Sequence, residues 1–351
     1  MEIYFESLTT DQNGWKNQLI ILKQKMIKNI PSISSEVNEE KIFKVINENF
    51  SQLAPAYYTL VSSWLINAYK VHKGIDKFII LIYLINKDFI FYRKNRLIVD
   101  YDTFYKDKSL EIPKINISDI AKDLLIPKEN VRRKISELEE KGIIKRKGKK
   151  IFIEKSGFIQ SKTNITLNDF SVLVSKFSEV LKDKKISDKS FNAEEISKSI
   201  KENFSFCWYQ FYKFIFIFTN SWKAGTKTQD LETVCVGLIV LINTVQNRNF
   251  KNKSLDRKKY LKEIQKPDHI GINAFSIAEI TGIPRATVVR KLEFLMKNKF
   301  LNISEKKLYT FGIGVQSKQF KVISKLQDRN MNALSKFLYR VFNQIKVINS
   351  N

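Results

Sequence analysis

The chain is 351 residues long and 43% apolar, enough for more than one ordinary core, and its net charge of +25 favours a polyanionic partner such as nucleic acid or an acidic membrane surface. Two cysteines, Cys207 and Cys235, lie in apolar runs and read as core residues in a reducing cytosol, while two histidines, His72 and His269, are too few for a metal cluster or a His-based triad. Without paired carboxylates, a Gly-rich phosphate loop or a nucleophile–base set, the sequence argues against an enzyme, and no cofactor or metal is expected.

Abundant Lys, Ile and Asn with little Ala or Gly is also the output of an A+T-rich genome, so the charge needs support from position. Residues 1–15 lack the charged head and apolar stretch of a signal peptide. Apolar residues then recur at helical spacing over a broad face of LAPAYYTLVSSWLINAYKVHK (53–73), and GIDKFIILIYLINK (74–87) reads as a shorter core helix. Segment 88–115 is too long for a plain connection and is expected to hold structure of its own.

ISDIAKDLL starts behind Ser118, a good N-cap, and gives a helix of about two turns. After a short break, Pro127 opens a second helix in which Val131, Ile135 and Leu138 share one face. Two short helices joined by a tight turn predict a helix-turn-helix over 118–141. Its exposed side carries Lys128, Asn130, Arg132, Arg133 and Ser136. GIIKRKGKKIFIEK then predicts a hairpin, or wing, over 143–154, with Lys145, Arg146, Lys147, Lys149 and Lys150 around its turn.

The second half repeats this order. IKENFS at 200–205 echoes INENFS at 46–51, and helices are expected over 203–223 and 228–246. FSFCWYQFYKFIFIFTNSW (204–222) approaches the length of a membrane span, but Gln210 and Lys213 interrupt it, and it reads as a buried helix. The segment 247–272 parallels 88–115, with a helix expected at 254–264. At a fixed offset of 157, Ile120, Ala121, Ile126, Pro127, Val131, Arg133, Lys134 and Leu138 meet identical residues at 277, 278, 283, 284, 288, 290, 291 and 295. A second helix-turn-helix is therefore expected over 276–299, capped by Ser276, with a wing at 300–311 and a C-terminal helix at 318–347. Its exposed residues include Arg285, Thr287, Arg290, Lys306 and Lys307.

IAKDLLIPKENVRRKISELEEKGII followed by a basic hairpin resembles the winged helix-turn-helix of bacterial transcriptional regulators of the MarR and GntR kind. The resemblance covers about 40 residues in each half. It implies a recognition helix in the major groove of DNA, a wing on the backbone or minor groove, and upstream helices that dimerise. Two departures bear on the turns: Leu125 stands where copy two has Gly282, and Lys299 stands where copy one has Gly142.

The expected fold class is mainly α with small β-hairpin wings, as two winged helix-turn-helix units in a pseudo-two-fold arrangement, 1–160 and 161–351. The expected function is a sequence-specific, double-stranded-DNA-binding transcriptional regulator in the cytoplasm, associated with the nucleoid. One chain would act as a pseudo-dimer, with or without further homodimerisation, and copy one, with the more basic helix and wing, would supply most of the electrostatic affinity. No membrane partner is expected, and a small-molecule effector entering the aromatic core is a candidate. The alternatives are a plasmid- or phage-type replication initiator with two winged helices, and a winged-helix protein-interaction module.

Overall fold

The computed structural model describes residues 39–112, 114–148, 150–155, 163–226, 230–247, 254–264, 270–312 and 317–348. It is mainly helical with two small antiparallel sheets. The expected features at residues 1–15, Lys149 and His269 lie outside the described residues.

The first half runs α1 (Glu39–Glu48), α2 (Phe50–His72), α3 (Ile75–Lys94), α4 (Tyr101–Lys106), β1 (Ser109–Ile112), α5 (Ile117–Leu124), α6 (Lys128–Glu140), β2 (Ile144–Lys147), β3 (Lys150–Glu154) and, grouped with it although it lies past the expected boundary at 160, α7 (Thr163–Asp183), which packs on α2. The second runs α8 (Ala193–Glu202), α9 (Phe204–Thr226), α10 (Leu231–Asn247), α11 (Arg257–Ile264), α12 (Ala274–Thr281), α13 (Arg285–Lys297), β4 (Leu301–Ile303), β5 (Tyr309–Phe311) and α14 (Lys318–Ile348). Both halves turn from first to second helix at a buried asparagine. Asn49 Nδ2 donates to the Val45 carbonyl at 2.8 Å, and Asn203 Nδ2 donates to the Ser199 carbonyl at 2.9 Å. Each carbonyl also accepts from the same asparagine's backbone N–H at 3.1 Å, so one residue closes the helix end with two bonds.

The segment 88–115 proves to be an extension of α3, the helix α4 and the strand β1. That strand makes the first hairpin a three-stranded sheet of order β1-β3-β2, with Leu110 opposite Ile153 and Ile112 opposite Ile151. In the second half the helix α11 lies within the expected span, and the third strand shrinks to one bridge between Ile272 and Tyr309.

The aromatic helices α2 and α9 share a core, as expected, and Tyr57 meets Phe214 with ring centroids 6.3 Å apart. Their chief cross-half partners, however, are exchanged third helices: α3 packs on α9, and α10 packs on α2. Phe89 of α3 lies 6.0 Å from Phe204 and 5.8 Å from Tyr212, and Tyr83 lies 6.0 Å from Phe216. The exchange extends outward, since α7 packs on α2 and α8 while α14 packs on α9 and α1. One buried cluster consequently runs through both halves, including Phe50, Leu65, Phe89, Phe170, Phe211 and Phe337. A smaller cluster of Val236, Val240, Ile277, Val288 and Leu292 holds α12 and α13 against α10.

No helix among the described residues is long and apolar enough to cross a membrane, and α9 is covered by α14 and α3. Cys207 and Cys235 are free and buried. Burial pushes both thiols up, Cys235 to about 12, so neither is primed as a nucleophile.

Candidate nucleic-acid interface

Helices α5 and α6 are joined by a turn at Leu125, and α12 and α13 by a turn at Gly282; both residues are left-handed, with φ of 51° and 72°. Leucine therefore manages the conformation that glycine provides freely. The same holds after the second helix of each pair, where Gly142 has φ of 66° and Lys299 has φ of 59°. The backbone turn is shared although the residue is not.

The helix starts differ from expectation. Asn116 caps α5, accepting from the Ser118 amide at 3.1 Å and the Asp119 amide at 3.4 Å, and Asn273 caps α12, accepting from the Ser276 amide at 2.9 Å. Ser118 and Ser276 are already inside their helices. Pro127 and Pro284 stand just before α6 and α13, at the N-cap position. The apolar stripes fall as expected: Val131, Ile135 and Leu138 are buried, as are Val288, Leu292 and Leu295.

The residues opposite those stripes face outward. Lys128, Arg132, Arg133 and Ser136 are exposed and Asn130 is half-buried; Lys145, Arg146 and Lys147 are exposed and Lys150 is half-buried. In the second half Arg285, Arg290, Lys306 and Lys307 are exposed and Thr287 is half-buried.

The charge on these surfaces differs from the sequence expectation in one respect. Helix α6 bears Lys128, Arg132, Arg133 and Lys134, but also Glu129, Glu137, Glu139 and Glu140, and is neutral overall. Arg132 lies 2.6 Å from Glu129, Arg133 lies 3.9 Å from Glu137, and Arg133 Nη2 donates to Asn130 at 3.5 Å. The wing cations are braced as well, Lys145 by Glu154 at 3.1 Å, Arg146 by Glu139 at 2.7 Å, and Lys150 by Glu111 at 3.5 Å. Lys147 sits over the Phe152 ring at 5.7 Å. Helix α13 has Arg285, Arg290, Lys291 and Lys297 against Glu293 alone. Arg290 Nη2 donates to Thr287 Oγ1 at 3.2 Å, and neither Arg285 nor Arg290 forms an ion pair among the described residues. Copy one is thus the more basic in its wing, and copy two in its helix.

Both helices are tied to one contact between α3 and α10. The Ile75 amide at the start of α3 donates to Glu232 Oε1 at the start of α10, 3.0 Å away. Two residues after Ile75, Lys77 holds Glu137 of α6 at 2.8 Å; two residues before Glu232, Asp230 holds Lys291 of α13 at 2.9 Å. Lys77 also holds the Glu137 carboxyl below its ordinary range. Beneath them Lys223 is buried with Asp76 at 2.9 Å and donates to the Leu124 carbonyl at 3.3 Å, tying α9 to the end of α5. Such a pair is costly to break because either charge alone would be stranded without water. Sequence reading missed this network, whose members are far apart in the chain and look like ordinary surface charges.

No family model matches the chain. No curated protein and no solved structure matches it either. Among the described residues no group of His, Cys, Asp and Glu is placed to hold a metal ion. An apolar cavity of about 50 Å³ lies between α10, α13 and the β4–β5 hairpin, lined by Trp222, Gly237, Leu238, Leu295, Phe300 and Phe311. It would admit only a very small apolar molecule without movement.

Proposed function

We propose that the protein is a sequence-specific double-stranded-DNA-binding regulator of transcription in which α5–α6 with its hairpin and α12–α13 with its hairpin act as two winged helix-turn-helix units of one pseudo-dimeric chain. The observation that carries this reading is that α6 is held by Lys77 and α13 by Asp230, each two residues from one member of the Ile75–Glu232 contact. Two like helices fixed to one junction can enter successive major grooves, as two-fold dimers of such units do. The net charge of +25 supports it, since phosphate neutralisation supplies most non-specific affinity.

In this reading the first unit grips the backbone through Lys145, Arg146 and Lys147, and the second meets base edges through Arg285, Thr287 and Arg290. An effector small enough for the cavity beside Leu295 would act by shifting α13. Affinity for duplex DNA should fall roughly a thousandfold between 50 and 200 mM salt if about six phosphates are neutralised. One chain should protect about two helical turns, read by footprinting with light scattering. Salt-independent binding, no binding to any duplex, or two chains on that footprint would overturn the proposal.

A second reading rests on Phe275, Ile280 and Ile303, which are 56%, 42% and 46% exposed around the second unit. Exposed apolar side chains favour a protein partner there. A second unit that tolerates Arg290→Ala in DNA binding but loses a partner on Phe275→Ser would decide for it.

A further inference from the structure

Four cations gather on helices other than α6 and α13: α3, α9 and α14. Arg93, in the last turn of α3, lays its guanidinium over two rings of α9, 5.8 Å from the Phe206 centroid and 5.1 Å from that of Tyr209. Its Nη1 is enclosed and has no hydrogen-bond partner. One turn beyond Tyr209 on the same helix face stands Lys213, exposed and in no ion pair among the described residues. Lys336 and Arg340, neighbours on one face of α14, both reach Glu39 at the start of α1, at 3.5 and 2.7 Å.

Partial burial and the charges of Arg340, Arg93 and Lys336 hold the Lys213 ammonium below its ordinary pKa, with Glu39 pulling the other way. The two groups of cations meet along the seam of α9 and α14, where Phe214 beside Lys213 stacks on Phe337 beside Lys336 with ring centroids 5.4 Å apart. One carboxylate against four cations leaves the spot strongly positive.

The fold does not require this cluster. At the positions 154 residues earlier, Lys213 and Tyr209 correspond to Thr59 and Pro55, and 154 residues after Glu39 stands Ala193. A purely structural device would be expected in both halves; this one occurs in one.

We propose that Arg93, Lys213, Lys336 and Arg340 form an anion site that takes a phosphate group. The guanidinium groups offer phosphate oxygens the N–H donors that enclosure of Arg93 Nη1 and the Arg340–Glu39 bond leave over, and two ammonium groups add point charges. The aromatic rings under Arg93 fix its plane, so little side-chain freedom is lost on binding. The phosphate could come free in solution or from a nucleic-acid backbone, and the inference stands apart from the assignment of α6 and α13.

The test uses the full chain. Inorganic phosphate is titrated against chloride at matched ionic strength, with thermal unfolding and ³¹P line width as readouts. A saturable response to phosphate is expected. Lys213→Gln, at an exposed position, should weaken it about tenfold, the effect of losing a charge-assisted hydrogen bond. Arg93→Gln should do the same, while Arg290→Ala should leave it intact. Circular dichroism establishes that each variant is folded, and Lys213→Gln suffices if Arg93→Gln is not. No response beyond that of chloride, or one unchanged in Lys213→Gln, overturns the site. If phosphate competes with a 20-base-pair duplex and Lys213→Gln weakens that duplex, the backbone is the source. If phosphate binds without competing, the source is a free ligand.

Discussion

Leu125 and Lys299 hold backbone conformations that glycine adopts at no steric cost, and their counterparts Gly282 and Gly142 show the same turns relaxed. Lys299→Gly should therefore stabilise the protein by up to about 1 kcal/mol, and Gly142→Lys should destabilise it by a similar amount. Urea unfolding measures both, and a loss in Lys299→Gly would mean that the lysine side chain contributes more than its strain costs. Buried titrating groups offer a second prediction. Burial, with Lys141 and Lys77 nearby, lowers His72 from 6.5 to about 4, so its contribution is complete above pH 6.5 and declines as pH falls toward 4. Burial raises Asp88 from 3.8 to about 7, with Lys155 opposing, so its contribution is complete below pH 3.8 and declines as pH rises toward 7. The two oppose each other between pH 4.5 and 6.5. Asp88→Asn should leave stability rising with pH in that window, relative to the parent chain, by up to about 1.4 kcal/mol per unit. His72→Phe should leave it falling, and parallel curves for all three proteins would reject both assignments.

At the scale of elements, apolar spacing made both helix pairs and both hairpins legible, because burial of one face imposes its period directly on the residues. The caps were less legible: Asn116 and Ser118 are both good capping residues, and only backbone geometry selects between them. Strand β1 was hidden because its four residues, SLEI, are too few to establish a period. Charge was the most deceptive feature. Arg132, Arg133 and Lys134 stand out in sequence, whereas the neutralising role of Glu129 and Glu137 depends on their lying one helical turn away. An arginine already engaged by a carboxylate must surrender that partner to meet a base or phosphate. Arg290→Ala is accordingly expected to weaken duplex binding by about 1–3 kcal/mol, and Arg133→Ala by less. Glu129→Gln should strengthen binding, since it releases Arg132, and Glu129, unlike Glu137 with Lys77, anchors no other helix among the described residues. Titrations on a selected site check the order, and a larger loss from Arg133→Ala would restore the first helix as the principal reader.

For the whole molecule, the sequence repeat announces two similar halves but not how they meet. Periodicity tells that α3 and α10 are buried without telling against which helix, since either α2 or α9 offers an aromatic face. The structure resolves this by exchange: α3 lies on α9, α10 lies on α2, and the terminal helices reach across in the same sense. Each half therefore keeps much of its apolar surface covered by the other, and Asp76 of the first half relies on Lys223 of the second for its buried countercharge. Fragments 1–188 and 189–351, divided after α7, produced separately should each fail to fold as monomers, showing broad thermal transitions and self-association. Mixed in equal amounts from denaturant, they should recover a single cooperative transition at the mass of one pair. Sedimentation and circular dichroism distinguish the outcomes. A monomeric half that unfolds cooperatively would show that its own contacts suffice, and would recast the chain as two independent domains with a modest interface. Recovery only on mixing would establish that the two halves form one folding unit, in which α6 and α13 are set relative to each other by the core itself.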